Sequence, residues 1–203
     1  MDTLEFLLRS HALTHGLDVG ESEGRFSLEY NRLHGLSDNQ LRLRPNGWNS
    51  MAWLFWHMAR TEDVAINVIV ADRPQVFDTG HWAERLNVHR RDIGTGMSDE
   101  EVEALSEAID IPALREYRMA VGKATQASAR SLPGAEWDRV PGEEVFRKTM
   151  DQGAFAEEAA WVAQLWSGKS KAWFFYWVAV GHNVMHLGHA GWVKEMILHR
   201  RGR

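Results

Sequence analysis

The sequence predicts an all-α fold: a four-helix bundle with short extra helices and a long excursion between the second and third main helices. Two observations lead to this prediction. Four long stretches carry apolar residues at helical spacing between clear breaks, and signals typical of β-strands are weak along the whole chain. The chain has 203 residues, which suits one domain, 1–203, with a sizeable core.

The first main helical segment is expected from Thr3 to about His34, with a break near Gly16–Glu21 where glycines interrupt the apolar pattern. A short capped turn follows this segment. Ser37 suits an N-cap position, and Gln40 stands three residues later, as a capping box requires.

The second main helix is predicted from about Asn49 to Ala71. It is apolar on nearly all sides, so we expect it to be buried among its neighbours. The residues Asp72–Pro74 end it, because proline disfavours helical backbone in the residue before it. Gln75–Met97 has no regular period and forms the long excursion; loops of this length in a compact domain are often functional.

The second half of the chain is also helical in pattern. Ser98 and Glu101 form a second capping box, which begins a short helix to Ala108. Pro112 suits the first turn of the third main helix, which ends near Leu132. The remaining helices are expected over Glu143–Thr149, Phe155–Trp166 and, as the fourth main helix, Lys171–His199.

Composition narrows the classes of function. The net charge of −5 argues against nucleic-acid binding, and the basic run Arg200, Arg201 and Arg203 is interpreted as a solvated end. The absence of cysteine excludes disulfides and cysteine nucleophiles. The N-terminus lacks a signal-peptide pattern, and the apolar stretch Ala172–Val180 is shorter than the roughly 20 residues of a membrane span. We therefore expect a cytoplasmic protein that binds neither nucleic acid nor membrane.

Histidines on the last helix indicate a metal site. His182 and His186 are four residues apart, so both lie on one helix face and can bind one divalent ion. His189 shares that face, but the outer two histidines would be about 10 Å apart along a straight helix. A third ligand from another helix is therefore favoured. His57, in the middle of a very apolar helix, would need a buried partner, and a shared metal ion would supply one. Spacing alone also fits histidines that merely bond to carbonyl groups.

Several short motifs follow one another along the chain. They are Leu36–Leu41, Arg44–Pro45, Asn49–Trp53, His57–Asp63 and His182-xxx-His186-Leu187-Gly188. Their order and spacing are more specific than any single motif. Together they resemble DinB-like (DinB/YfiT) proteins, and the resemblance covers about Leu36–Ile69 and Val180–Met196.

The resemblance implies a four-helix bundle with three histidine metal ligands, which by position are His57, His182 and His186. Many members have glutamine where this chain has His189, so His189 is left as a bystander, an outer-shell partner or an alternative ligand. Members are often homodimers. Some resemble transferases or isomerases that use low-molecular-weight thiols such as mycothiol or bacillithiol.

Three neutral imidazoles leave a coordination position open, and zinc or nickel suits such ligands best. The leading hypothesis is a metal-dependent enzyme, a transferase that joins a small-molecule substrate to a thiol of the mycothiol or bacillithiol type. A hydrolase would need a base near the metal. The alternatives are a non-catalytic metal-binding or stress-response protein and a structural bundle without metal. The sequence leaves open whether the protein is catalytic.

The sequence indicates a functional role less strongly for the other polar residues. Glu62 and Asp63 point to other faces of their helix than His57 and are interpreted as ion-paired or solvent-exposed. Arg60 and Thr61 lie nearer the face of His57 and either bind substrate or anchor the helix. A second group is interpreted as pocket entrance or structure: His81, Trp82 and Arg85. The remaining histidines are interpreted as structural or exposed: His11, His15, His34, His89 and His199.

Overall fold

A computed structural model describes residues 1–20 and 26–199 of the chain. All regular secondary structure in these residues is helical, which confirms the all-α prediction. The basic run at the C-terminus and the end of the break at Gly16–Glu21 lie outside the described residues. None of the helices in the described part combines the length and apolar character that crossing a bilayer would need.

In the described residues up to Val70, three short α-helices precede the long central one. The short helices are α1 (Thr3–Leu13), α2 (Leu28–Leu33) and α3 (Asp38–Leu41). The capping box predicted at the start of α3 is present. The central helix, α4, runs over Met51–Glu62 and continues without a break as a π-helix over Asp63–Val70.

The excursion is more ordered than its sequence pattern indicated, because it contains two short helices. These are α5 (Val76–Thr79) and α6 (Trp82–Leu86). The helices that follow are α7 (Asp99–Ala108), α8 (Ile111–Ser131), α9 (Glu143–Asp151) and α10 (Ala160–Trp166). The last helix, α11, begins at Lys171–Trp173, is a π-helix over Phe174–His182 and is an α-helix over Asn183–His199.

The central helix α4 lies at the middle of the bundle. Every side chain of α4, including its π-helical part, is buried, as expected for a helix that is apolar on nearly all sides. Its first half packs with α7, α8 and the end of α11, while its π-helical half packs with α8, α9 and the start of α11. Each fully buried large apolar side chain contributes roughly 1.5–3 kcal/mol, so this helix carries much of the fold's stability.

The end of the excursion is held against α4 by a glycine. Gly94 has a φ of 81°, and a Cβ atom added there would lie 2.4 Å from the ring of Trp56. Both the left-handed backbone and the close approach require glycine at this position. The contact brings the loop around Ile93 beside the middle of α4, where His57 lies.

Candidate metal centre

Three histidines from two helices converge at one point. His57 lies on α4, and His182 and His186 lie on α11, where one closes the π-helical stretch and the other follows it by one turn. Nε2 of His57 is 3.1 Å from Nε2 of His182. One ring nitrogen from each of the three residues lies within 4.8 Å of the other two. The structure thus brings together the three residues singled out in the sequence.

The ring of His57 is held in one orientation. It stacks on Trp53 with centroids 4.8 Å apart and an angle of 8° between planes. Its Nδ1 faces the main-chain oxygen of Ile93, which can only accept, so Nδ1 carries the proton and donates it. The lone pair is therefore on Nε2, the atom that faces His182. A backbone carbonyl bound to the distal nitrogen is the usual support of a metal-ligating histidine.

The distances suit a divalent ion. Two nitrogens bound at about 2.0–2.1 Å to a tetrahedral zinc ion lie roughly 3.3 Å apart. The 3.1 Å between the two Nε2 atoms is close to this value, and the rings need little movement to receive an ion. Three imidazoles from this chain therefore fit the metal that such a site would hold.

Burial keeps these histidines neutral, as ligation requires. Burial lowers the pKa of His57 to about 4. Burial and the neighbouring His57 lower the pKa of His186 to about 3. Burial, followed by the charges of His57 and His186, also holds the pKa of His182 well below its usual value. At neutral pH all three imidazoles can offer a lone pair.

His189 lies outside the group of three. It is exposed, and its Nδ1 is 3.4 Å from Nδ1 of His186. One of these two nitrogens carries the proton of a weak hydrogen bond. The geometry leaves Nε2 of His186 for the centre and places His189 behind it.

A cavity of about 430 Å³ opens onto the three histidines. Its walls come from α4, α7, α10, α11 and the end of the excursion at Ile93–Met97. Thr61 lies in the lining, and its hydroxyl donates to the main-chain oxygen of His57 at 2.7 Å. Most of the lining is aromatic or aliphatic: Trp53, Ile93, Met97, Val102, Trp161, Val162, Leu165, Trp166, Trp177, Val178 and Met185.

Glu62 occupies a second polar cluster, on the other side of α4 from the cavity. It is fully buried, so the sequence interpretation of solvent exposure is wrong, while that of pairing holds. Four donors reach the carboxylate: His11 and Thr125 on Oε1 at 2.8 and 2.7 Å, His15 and Asn183 on Oε2 at 3.0 and 2.7 Å. Burial opposes ionisation, but the two histidines and their hydrogen bonds lower the pKa of Glu62 well below its usual value.

The His11, His15 and Glu62 group is also compact enough to hold a divalent ion. Its hydrogen bonds indicate a structural use. The amide nitrogen of Gln126 donates to Nδ1 of His11, which places the His11 proton on Nε2, facing the carboxylate. Arg118 lies 3.8 Å from Glu62 and already supplies a cation there. This cluster ties α1, α4, α8 and α11 together beneath the three-histidine centre.

The other polar residues of α4 anchor the fold. Asp63 accepts hydrogen bonds of 2.8 Å from the main-chain N–H groups of Val76 and Phe77 and from the hydroxyl of Tyr117, and so holds the start of the excursion. Arg60 is buried and donates to Tyr117 at 3.0 Å. The sequence left two roles for Arg60, substrate binding and anchoring of the helix, and the structure supports anchoring.

The excursion residues considered for the pocket entrance are not in the cavity lining. Trp82 is buried against Tyr117, with ring centroids 5.3 Å apart. The guanidinium of Arg85 lies 3.6 Å from the centroid of the Trp82 ring. His81 is exposed in a left-handed turn before α6. Their role in the structure is to fasten α6 to α8.

Sequence reasoning missed two features of the site. The pair His11 and His15 has the same four-residue spacing as His182 and His186, and this signal marks the buried Glu62 cluster. The sequence also did not predict that Trp161 and Trp177 are exposed and line the cavity. Their positions on α10 and α11 gave no sign of which face would meet the site.

An all-helical bundle with three histidines on its second and last main helices defines a recognisable class of protein. The family model described as the DinB superfamily matches residues 30–190, and the chain belongs to this superfamily. A similar solved structure is that of a conserved protein from Enterococcus faecalis, with 15% identity, 98% of each chain covered and a TM-score of 0.67. That likeness shows the shared fold alone. Comparison with curated proteins finds no match.

Proposed function

We propose that this protein is a metal-dependent enzyme that transfers a low-molecular-weight thiol to a small-molecule substrate. The observation that carries the proposal is that three neutral histidines stand at the base of an open cavity of about 430 Å³. His57, His182 and His186 would hold the ion, with zinc or nickel suited to their nitrogens. When bound, such an ion leaves a coordination position for a thiol or water and lowers its pKa.

The position of the carboxylates favours thiol transfer over hydrolysis. A hydrolase needs a base that takes a proton from water near the ion. Glu62 and Asp63, the acids nearest to His57 along α4, are buried and fully engaged by other donors. A thiolate is itself a strong nucleophile and needs no further base once its proton has gone to solvent.

The reaction would be a substitution at carbon. The sulfur–carbon bond forms while the bond from that carbon to its leaving group breaks, and the leaving group departs with the electron pair. The chain's part is to orient the two reactants. The stacked and hydrogen-bonded ring of His57 fixes one side of the centre, and the apolar walls would contact the body of the substrate.

The open cavity is what distinguishes this proposal from a non-catalytic metal-binding protein, which would be expected to have a closed centre. The test uses tag-free protein loaded with Co²⁺, whose visible spectrum changes when sulfur becomes a ligand. Adding a panel of thiols should produce the sulfur-to-cobalt absorption band, and adding an electrophile such as 1-chloro-2,4-dinitrobenzene should then yield the thioether. His57→Ala should abolish both signals. An unchanged cobalt spectrum with every thiol would overturn the proposal.

We also propose that the chain works as a cytoplasmic homodimer. Large apolar side chains on α11 are exposed outside the cavity, and the most exposed are Tyr176 and Trp192. Exposed apolar surface of this kind often marks self-association. Sedimentation equilibrium of the wild type and of Trp192→Glu should show a dimer and a weakened dimer, respectively; a monomeric wild type would refute the dimer.

A further inference from the structure

The residues of the cavity walls indicate the chemical class of the substrate more specifically than the three histidines do. We infer that the substrate is an uncharged molecule with an aromatic or branched apolar body, bound by the tryptophan-rich wall that α10 and α11 form beside the three histidines. This inference rests on the proposed function only for the reaction; the binding itself depends on the wall. The relevant wall residues are Trp161, Leu165, Trp166, Trp177 and Met185.

The wall leaves large apolar groups in water. Trp161 is 56% exposed, Leu165 46%, Met185 44% and Trp177 41%, although all four line the cavity. Exposed apolar area at the rim of a cavity commonly marks a binding site, since covering it with a ligand removes that area from water. The four side chains come from two helices and face the same space, so one ligand can cover them together.

The base of the wall is rigid. Trp166 is 3% exposed and packs edge-to-face on Phe174, with ring centroids 5.6 Å apart. Phe155 packs on the other side of Trp166 with centroids 5.4 Å apart. The floor on which a ligand would lie is therefore already formed, and binding need not order it.

The charges in the lining disfavour an anion. Apart from the histidines, the ionisable residue of the described lining is Asp99, whose side chain is 80% exposed and paired with Arg44 at 2.5 Å. A carboxylate or phosphate on the body of a ligand would lose water without gaining a cationic partner from these walls. Arg44 pairs with Asp99 and does not itself line the cavity.

The volume of the cavity also agrees with a small apolar substrate. A cavity of about 430 Å³ lies in the range of roughly 300–1,000 Å³ of small-molecule sites. Such sites are mostly apolar, with a few polar groups that fix orientation. Here Asn49 and Thr61 are available at the edges, while the three histidines lie at one end.

The test compares two probes with the same body, 1-naphthaleneacetamide and 1-naphthaleneacetate, by isothermal titration with metal-loaded and metal-stripped full-length protein. The neutral amide should bind at least about tenfold more tightly than the acid to the stripped protein, because only the acid brings a charge into the apolar wall. Metal loading should change the affinity for the amide by no more than about twofold. Equal binding of the two probes, tighter binding of the acid to stripped protein, or no binding of the amide would each overturn the inference.

Two variants locate the binding. Trp161→Ala should weaken amide binding about tenfold, as expected for loss of an aromatic contact. Trp48→Ala is the matched control, because Trp48 is 54% exposed, much like Trp161, and lies outside the cavity lining. Equal effects of the two substitutions would also contradict the inference. Amide binding without any thiol–cobalt signal would instead mean that the proposed reaction is wrong and the binding site is real.

Discussion

The side-chain amide of Asn183 donates a hydrogen bond of 2.7 Å to Oε2 of Glu62 and so joins the two helices that carry the candidate metal ligands. The same nitrogen donates to the main-chain oxygen of Ala179 at 2.8 Å, and the amide oxygen accepts from Arg118 at 3.2 Å. Asn183 directly follows His182. One residue of α11 therefore faces the cavity while the next is fixed to the polar cluster on the far side of α4.

This brace should be important for stability. Asn183→Ala leaves Glu62 without one of its donors and should lower the free energy of unfolding by about 1–3 kcal/mol. Glu62→Gln disrupts a buried charge cluster and should lower it by about 3–5 kcal/mol. Urea unfolding followed by circular dichroism measures both values. Asn31→Ala, at an exposed position on α2, is the control and should stay within about 0.5 kcal/mol of the wild type. A Glu62→Gln variant as stable as the wild type would show that the cluster does not hold the bundle together.

Loss of a ligand should remove the metal. His57→Ala and His186→Ala each take one imidazole from the centre and should lower the affinity for Zn²⁺ by more than the roughly 10–100-fold that loss of an outer-shell partner costs. Competition with a chromophoric chelator gives the affinity, and elemental analysis of tag-free protein gives the stoichiometry. His199→Ala, an exposed histidine on the same helix, should match the wild type. Unchanged Zn²⁺ binding by His57→Ala would move the site elsewhere, with the His11, His15 and Glu62 group as the next place to look.

His189 should act behind His186. Its Nδ1 lies 3.4 Å from that of His186, so His189→Ala should weaken Zn²⁺ binding about tenfold while leaving full occupancy at saturating metal. His189→Gln offers an amide oxygen as acceptor and should restore most of the affinity. If His189→Ala instead loses stoichiometric metal, His189 is itself a ligand and the assignment of three must change.

Acid should destabilise the metal-free protein below about pH 6.5. Burial, followed by the charge of Arg118, lowers the pKa of His15 from 6.5 to about 3. Since the folded state disfavours the charged form, the stability is fully present above the unfolded pKa and is lost as pH falls towards the folded value. His15 alone should account for about 2–3 kcal/mol by pH 4.5. Urea unfolding at a series of pH values tests this slope.

The matched variants for the pH series are His15→Gln and His34→Gln. The first removes the buried imidazole and should make the decline between pH 6.5 and 4.5 shallower. The second replaces an exposed histidine and should leave the decline as it is in the wild type. Parallel curves for the wild type and His15→Gln would exclude His15 as a source of acid sensitivity.

The parts of the fold that the sequence predicted are those set by local chemistry. The capping boxes at Ser37 and Ser98 and the first-turn position of Pro112 are all present, because a helix end depends on residues three or four positions away. The two short helices within the excursion were not predicted. Its helices α5 and α6 are only four and five residues long, and they are held by distant groups such as Asp63 and Tyr117.

The candidate site shows the same difference: its local features were predicted from the sequence, and its long-range contacts were not. The spacing of His182 and His186 predicted a shared face, and the burial of His57 predicted a partner. The role of Glu62 could not be read in this way, because its partners are 47 to 121 residues away along the chain. The π-helical turns of α4 and α11 also left no periodic signal, since both stretches are mostly apolar. Such wide turns are frequent at functional sites.

The hydrogen bond from His57 to Ile93 affects how the affinity of the centre for an ion would be measured. The main-chain N–H of Ile93 donates to the oxygen of Ala154, so this residue joins the centre to the connection that leads to α10 and its tryptophans. An ion on Nε2 of His57 requires the proton on Nδ1, which is the form that holds Ile93. Ion binding and the hydrogen bond from His57 to the Ile93 loop are thus in reciprocal linkage. If the hydrogen bond raises the affinity of the centre for the ion by some factor, the bound ion must favour the hydrogen bond by the same factor. An affinity measured for either one is defined only when the state of the other is stated.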